Sequence, residues 1–158
     1  MLDTPSTQRY HCVMIPALID NGGPWKVLPP GIHDATLDEA ESRFAITDHR
    51  KALFDGFRQA VRVLQHAGCS TVYLDGSFVT DKPTPGDFDA CWDDTGVNAS
   101  RLDGVLLDFT NKRQAQRRKY LGELFPVRSS SSTGLGFIHF FQTDKYTGKA
   151  KGVLRIRL

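Results

Sequence analysis

The chain has 158 residues, of which 40% are hydrophobic, and 20 Lys and Arg residues are balanced by 18 Asp and Glu residues. This length and this hydrophobic fraction suit one domain with a core of ordinary size. A net charge of +2 excludes a strongly basic or acidic chain, so any electrostatic attraction to a partner must come from local clusters.

Three widely spaced cysteines, with no CxxC pair, argue against a disulfide framework or a zinc site. The first residues lack a basic segment followed by an apolar stretch, and no apolar run approaches the about 20 residues of a membrane span. We therefore expect a cytoplasmic protein that does not contact a membrane.

The first 35 residues predict an extended arm. Proline and glycine recur between Pro16 and Gly31, and both residue types disfavour a regular helix. We expect residues 1–35 to form an extended N-terminal arm that lies across a single domain formed by residues 36–158.

Two helices are predicted next. Thr36 and Glu39 have the spacing of a capping box, which predicts a short helix to about Phe44. Asp48 can cap a longer helix, and Gly68 is its expected stop. The apolar residues of the longer helix recur at helical spacing: Leu53, Phe57, Ala60, Val61 and Leu64.

Strands and one further helix are predicted in the remaining chain. Thr71–Asp75 and Asp87–Trp92 have the composition and alternation of strands. Residues 99–121 predict a helix with a break near Thr110, and its second half is basic. The basic residues are Lys112, Arg113, Arg117, Arg118 and Lys119.

Three more strands are predicted after this helix, at Leu124–Arg128, Phe137–Gln142 and Gly152–Leu158. The order of helices and strands is not the strict alternation of a doubly wound parallel sheet. The sequence therefore predicts an α+β fold, with a small mixed β-sheet and helices packed on it. If the last strand lies at the edge of that sheet, Arg155 and Arg157 would protect it from pairing with another chain.

The loop between the first two predicted strands carries the residues best suited to chemistry. Gly76 and Ser77 directly follow a strand, where a glycine lets a phosphate approach the backbone. Asp87 and Asp89 are two residues apart on a strand, so both carboxylates point to one face and suit a hard cation such as Mg²⁺. Lys82 has the length to reach a triphosphate from the loop, although a solvated loop lysine would look the same.

This pattern resembles the nucleotidyltransferase superfamily related to DNA polymerase β. The motif of that superfamily is a Gly-Ser pair, a spacer and Asp-x-Asp with apolar neighbours; here the spacer is Phe78–Gly86. Further segments are similar to a family of short bacterial proteins without an assigned function that is placed in this superfamily. These segments are Pro29–His33, Leu74–Thr80, Asp81–Pro83, Pro85–Asp89, Phe140–Asp144 and Lys151–Val153.

The resemblance implies a nucleotidyltransferase-like fold that binds a nucleoside triphosphate and Mg²⁺ or Mn²⁺. It implies transfer of a nucleotidyl group to a hydroxyl of an RNA, a protein or a small molecule. Asp87 and Asp89 would be the catalytic residues and metal ligands, and Gly76, Ser77 and Lys82 would bind the nucleotide.

The same superfamily also implies a third carboxylate on a later strand beside the first two. The predicted strand Leu124–Arg128 holds no acid. Glu123 lies just before that strand, Asp108 falls on a predicted helix and Asp144 falls in a predicted turn. The sequence alone therefore identifies no third metal ligand.

Three functions remain open from the sequence. The first is an active metal-dependent nucleotidyltransferase. The second is a binding or regulatory protein that has lost catalysis, such as the antitoxin or immunity partner of a toxin–antitoxin pair, because a third acid is not identified. The third is an RNA-binding domain that uses the basic segment Lys112–Lys119.

Overall fold

The computed structural model describes residues 15–128 and 136–158. Its strands and α-helices are, in chain order, β1 Gly31–Ala35, α1 Leu37–Phe44, α2 Asp48–His66, β2 Thr71–Asp75, β3 Phe88–Trp92, α3 Thr110–Tyr120, β4 Gly122–Pro126, α4 Gly136–Phe141 and β5 Gly152–Arg157. Short 3₁₀ turns lie at Ser77–Val79, Ala99–Arg101 and Gly104–Leu107. This confirms the α+β class.

The five strands form one mixed sheet in the order β1-β5-β2-β3-β4. Strand β2 is antiparallel to both of its neighbours, whereas the β1–β5 and β3–β4 pairs are parallel. The predicted mixed sheet is thus confirmed. Strand β5 lies between β1 and β2 and not at an edge, so Arg155 does not protect an edge; its guanidinium donates to Asp34 on β1 instead.

The first two helices begin where the sequence predicts. Thr36 caps α1 and forms a capping box with Glu39. Helix α2 is capped by Thr47 and not by Asp48, because the Thr47 hydroxyl accepts the bond from the amide of Arg50. Gly68, at a φ of +92°, follows the end of α2 as predicted.

The main core lies between the helices and one face of the sheet. Its largest side chains include Phe54, Phe57 and Leu64 from α2 with Leu74, Phe88, Leu124, Leu154 and Ile156 from the strands. In the described part of the chain the opposite face carries a smaller cluster of Cys91, Phe141 and Val153, with four partly buried residues packed against it: Tyr73, Phe125, Val127 and Ile138. One face of the sheet is therefore covered by helices, while the other is covered in part only.

Helix α4 corrects the prediction of a strand at Phe137–Gln142. A short apolar run without a clear period fits a strand and a buried helix equally well. Among the described positions, Phe141 packs from this helix against the small cluster on the second sheet face. This segment therefore packs on that face of the sheet as a helix and is not a strand.

The N-terminal arm ends earlier than predicted. Residues 15–30 form no helix and contain one antiparallel bridge between Ile19 and Val27, as an extended arm would. Gly31–Ala35, however, is a strand of the main sheet and pairs with β5. The last five residues of the predicted arm thus belong to the main sheet, and residues 1–14 of the predicted arm lie outside the described residues.

The segment from Ala99 to Leu121 is less helical than predicted, since only α3 is an α-helix. The predicted break near Thr110 is confirmed: Asn111, Lys112 and Arg113 have φ values of +50°, +54° and +60°. Leu121 ends α3 with a φ of +63°. As a result β4 begins at Gly122, two positions before the predicted strand.

Two expectations from composition concern membranes and disulfides. None of the helices in the described part of the chain combines the length and the apolar character needed to cross a bilayer. Cys69 and Cys91 are buried free thiols, as expected, and Cys12 lies outside the described residues.

The contact between α2 and α3 depends on Gly56. A Cβ atom at this position would lie 2.0 Å from the carbonyl oxygen of Tyr120. Alanine ordinarily favours a helix by about 1 kcal/mol over glycine, but here the clash should dominate. We expect Gly56→Ala to lower the free energy of unfolding in urea by roughly 1–3 kcal/mol.

Gly104→Ala is the matched control, because a Cβ atom there meets nothing within 4 Å. Its unfolding midpoint should stay close to that of the wild type. If Gly56→Ala is as stable as Gly104→Ala, the packing of α2 against α3 described above is wrong.

Candidate active site

Three neighbouring strands place carboxylates side by side. Asp75 on β2 pairs with Asp89 on β3, and Asp89 pairs with Glu123 on β4. Paired residues on adjacent strands point to the same face of a sheet, and here that face is the one opposite α2. Asp87 lies two residues before Asp89 and joins the same row. Oxygen atoms of Asp87, Asp89 and Glu123 lie within 4.8 Å of one another.

Glu123 is the third carboxylate that the sequence did not identify. The predicted strand began at Leu124, whereas β4 begins at Gly122 and so includes Glu123. Gly122 allows this pairing, because a Cβ atom there would lie 2.5 Å from the ring of Phe88. Of the predicted ligands, Asp87 and Asp89 are brought together as expected, and Glu123 completes the group.

Each carboxylate of this group destabilises the ionised form of its neighbours. Burial raises the pKa of Asp89 to about 7, and the negative charges of Asp87, Glu123 and Asp75 add to that rise. Burial, and then the charge of Glu123, also raises the pKa of Asp87. The group therefore holds closely spaced negative charge in a region that water solvates poorly, which is a setting that favours a bound cation.

Asp75 differs from the other carboxylates because it has a dedicated cation. The ammonium of Lys151 lies 3.1 Å from its Oδ1, and the side chain of Asp75 is only 3% exposed. Burial raises the pKa of Asp75 to about 6, although Lys151 lowers it. Asp75 and Lys151 thus form a buried ion pair at the base of the site, which sequence reasoning did not predict.

The basic residues of α3 are partly used within the protein. Arg117 donates from Nε to Oε1 of Glu123 at 2.8 Å, and Arg113 donates from Nη2 to the same oxygen at 3.3 Å. Lys119 pairs with Asp103. The predicted basic patch is therefore reduced, with Lys112 and Arg118 among its exposed members.

The loop after β2 has the shape that its sequence suggests. Gly76 has a φ of +82°, and a Cβ atom there would lie 2.5 Å from Oδ2 of Asp89. Glycine is required both by the backbone conformation and by this close approach. Ser77 begins a 3₁₀ turn, and its carbonyl oxygen accepts a bond from the hydroxyl of Thr80 at 2.6 Å.

Arg50, which sequence reasoning did not single out, holds the same loop from below. Its guanidinium is buried and donates to the carbonyl oxygens of Phe78, Thr80 and Lys82 at 2.7, 2.8 and 2.6 Å. Lys82 is positioned by this contact but does not line the cleft described below, although its charge lowers the pKa of Asp87. Its role in binding a triphosphate stays a prediction.

The carboxylates open into a cleft of about 470 Å³. Gly76 and Ser77 line one part of this cleft. Five aromatic residues also line it, among them Trp25 from the arm, and Phe140 and Tyr146, which are 70% and 55% exposed. Trp25, Phe140 and Tyr146 come from three separate segments, so no local pattern in the sequence predicts that they line one cleft.

Comparison with known protein families gives one match. Residues 23–157 match a family described as a family of unknown function (DUF6932). No curated protein and no solved structure matches the chain. The match includes every carboxylate of the site.

The raised pKa of Asp89 makes stability depend on pH. The unfolded chain releases this proton near pH 3.8, the ordinary value, whereas the folded protein holds it up to about pH 7. The free energy of unfolding should therefore fall as pH rises from about 4 to about 7, by on the order of a few kcal/mol, and then level off. Urea unfolding at a series of pH values measures this slope.

Asp89→Asn should flatten that slope, and a residual fall of the same sign should remain from Asp75. Asp55→Asn is the control, because Asp55 is an exposed carboxylate on α2. It should keep the slope of the wild type. An equal slope in Asp89→Asn and the wild type would show that Asp89 ionises normally and that the carboxylates are not crowded.

Proposed function

The chain belongs to the DUF6932 family, and we propose that it is a metal-dependent nucleotidyltransferase. The observation that carries the proposal is the meeting of Asp87, Asp89 and Glu123 within 4.8 Å, beside the Gly76–Ser77 loop. The metal would be Mg²⁺ or Mn²⁺, and the substrate a nucleoside triphosphate.

The arrangement of β2, β3 and β4 supports this proposal. The Gly-Ser pair follows the first of these strands, the Asp pair lies at the second, and the third carboxylate lies on the neighbouring strand. This is the order of parts that the resemblance to nucleotidyltransferases implies. In this proposal Glu123 supplies the third ligand that the sequence alone did not identify.

The chemistry of the donor atoms fits a hard divalent cation. Three carboxylates offer only oxygen ligands, as Mg²⁺ and Mn²⁺ prefer. Glu123 accepts the arginine bonds on Oε1. Burial and then mutual repulsion raise the pKa of Asp89, and a divalent ion among these residues would offset the repulsion. When bound, it would supply charge neutralisation at the phosphate groups and activation of an attacking hydroxyl.

The cleft fits a nucleotide in size and in lining. Its volume of about 470 Å³ lies within the roughly 300–1,000 Å³ of small-molecule sites. The aromatic side chains of Trp25, Phe140 and Tyr146 offer flat surfaces for a base. Arg113, Lys145 and Lys151 place positive charge on the cleft wall, where a departing pyrophosphate would need it.

The acceptor in this proposal is a hydroxyl group. Its oxygen forms a bond to the α-phosphorus, the bond from that phosphorus to pyrophosphate breaks, and the hydroxyl proton passes to solvent water. The ion pairs of Arg113 and Arg117 with Glu123, and of Lys119 with Asp103, reduce the free charge of α3. This favours a protein or small-molecule acceptor over an RNA bound along that helix.

A binding or regulatory protein without catalysis is the second candidate. The observation that favours it is the pairing of Glu123 with two arginines, which stabilises the carboxylate in the cation-free protein. An antitoxin or immunity partner of a toxin would be a protein of this class. Metal binding and nucleotidyl transfer, measured separately, distinguish the two candidates.

The first test is metal binding. Mn²⁺ at 100 times its dissociation constant should add about 2.7 kcal/mol to the free energy of unfolding, seen as a rise in Tm at pH 7.5. The double variant Asp87→Asn/Asp89→Asn should show no rise. The metal-induced change is the quantity to compare, because removal of crowded charge also changes the Tm without metal.

The second test is transfer of label. The protein is incubated with Mn²⁺ or Mg²⁺, each α-³²P-labelled nucleoside triphosphate, and cellular RNA and protein. We expect label to enter one acceptor class, and Glu123→Gln to reduce the rate by roughly 100-fold or more, since the metal site supplies several kcal/mol to the transition state. Asp55→Asn should be as active as the wild type. Metal binding without any transfer would favour the binding protein.

A further inference from the structure

Arg113 lines the cleft and has an unusual backbone conformation. It is the last of three consecutive residues in the left-handed region, with a φ of +60°. Side chains other than glycine, asparagine and aspartate rarely adopt this conformation, because Cβ then approaches the following carbonyl oxygen. This costly turn thus occurs at a residue whose side chain lines the cleft. Strained backbone of this kind recurs at functional sites.

The guanidinium of Arg113 is incompletely bonded. Its Nε is buried and finds no hydrogen-bond acceptor within residues 15–128 and 136–158. The guanidinium carbon lies 5.3 Å from the centroid of the Phe125 ring, which supports the planar group from one side. A supported guanidinium with an unused donor is prepared to bind a further acceptor.

Arg113 and Arg117 are not equivalent partners of Glu123. Arg117 donates to Oε1 from both Nε and Nη2, whereas Arg113 donates one bond of 3.3 Å to the same oxygen. Arg113 lines the cleft and Arg117 does not. Arg117 is therefore the main partner of Glu123, and Arg113 is the arginine that can leave it.

A divalent cation would neutralise the formal charge of the cleft. Five carboxylates and three basic side chains line it. The carboxylates belong to Asp75, Asp87, Asp89, Glu123 and Asp144, and the basic residues are Arg113, Lys145 and Lys151. These groups have a formal charge of −2, which one divalent ion brings to zero. An anion is then no longer repelled, and Glu123 no longer needs both arginines.

We propose that Arg113 is a phosphate-binding residue, which exchanges its bond to Glu123 for an oxygen of the polyphosphate when a divalent cation binds the carboxylates. The inference rests on the proposed function and names the residue that couples metal binding to nucleotide binding. The planar fork of arginine suits two oxygens of one phosphate, and its Nε–H gains the acceptor that it lacks.

The test measures two affinities of the full chain by calorimetry: that of Mn²⁺ alone, and that of inorganic tripolyphosphate at saturating Mn²⁺. Arg113→Asn removes the guanidinium and keeps a residue that tolerates positive φ. It should weaken the binding of tripolyphosphate by about 10- to 100-fold, as expected for the loss of a charged hydrogen bond. Mn²⁺ affinity should be unchanged or raised, because a positive charge beside Glu123 is gone.

Three further variants make the result specific. Arg117→Gln should also leave or raise Mn²⁺ affinity, but should change tripolyphosphate affinity by less than about threefold, since one charge outside the cleft is screened by solvent. Arg118→Gln, at an exposed position of the same helix, should change neither affinity. Arg113→Lys keeps the charge without the fork and should lose part of the affinity, and it gives a second variant if Arg113→Asn does not fold.

The outcomes separate the inference from the proposed function. If the wild type binds Mn²⁺ and tripolyphosphate, and both Arg113 variants bind the anion as tightly, the inference is overturned while the proposed function stands. If the wild type does not bind Mn²⁺ at all, the proposed function is overturned and the inference with it. Equal losses in the Arg113 and Arg117 variants would show a general effect of charge and would also overturn the inference.

Discussion

The alignment of Asp75, Asp89 and Glu123 across β2, β3 and β4 is the constraint on which the rest of the site depends. Like charges placed opposite each other on neighbouring strands are destabilising, and burial increases the penalty. Cationic side chains from outside the three strands reduce this cost. Lys151 comes from the segment before β5, and Arg117 comes from α3. Lys151 and Arg117 therefore reduce the repulsion among carboxylates that the register of the strands creates.

One face of the sheet forms the main core, and the other face carries the carboxylates of the candidate site. The face under α2 carries the large apolar side chains of the main core, so it can hold the strand register in place. The other face carries the carboxylates, and only a small apolar cluster and α4 cover the rest of it. Because side chains alternate along a strand, a register that buries Leu74 and Leu124 on the first face necessarily brings Asp75 and Glu123 to the second. Packing of the core on one face of the sheet thus positions the site on the other face.

The sequence predicts those parts whose signals are local. The capping residues of α1, the glycine after α2 and the Gly-Ser and Asp-x-Asp pattern are all read from neighbouring residues, and the structure has each of them where expected. Glu123 was missed because the predicted strand began at Leu124, whereas Leu121 turns the chain directly from α3 into β4 in a left-handed conformation that usually takes glycine or asparagine. Helix α4 was missed because its apolar run has no distinguishing period. Contacts such as that of Lys151 with Asp75 join residues 76 positions apart, and no local pattern indicates them.

The partners of the four neighbouring carboxylates indicate which of them bind a cation. Asp75 is almost fully buried and has its own ammonium group, and a divalent ion would have to compete with Lys151 for it. Asp87 and Asp89 are less buried, and the described part of the chain forms no ion pair with either. Glu123 is bonded to arginines that can share it with an ion. The balance of charge therefore favours Asp87, Asp89 and Glu123 as the ligands of the proposed cation, while Asp75 stays paired with Lys151.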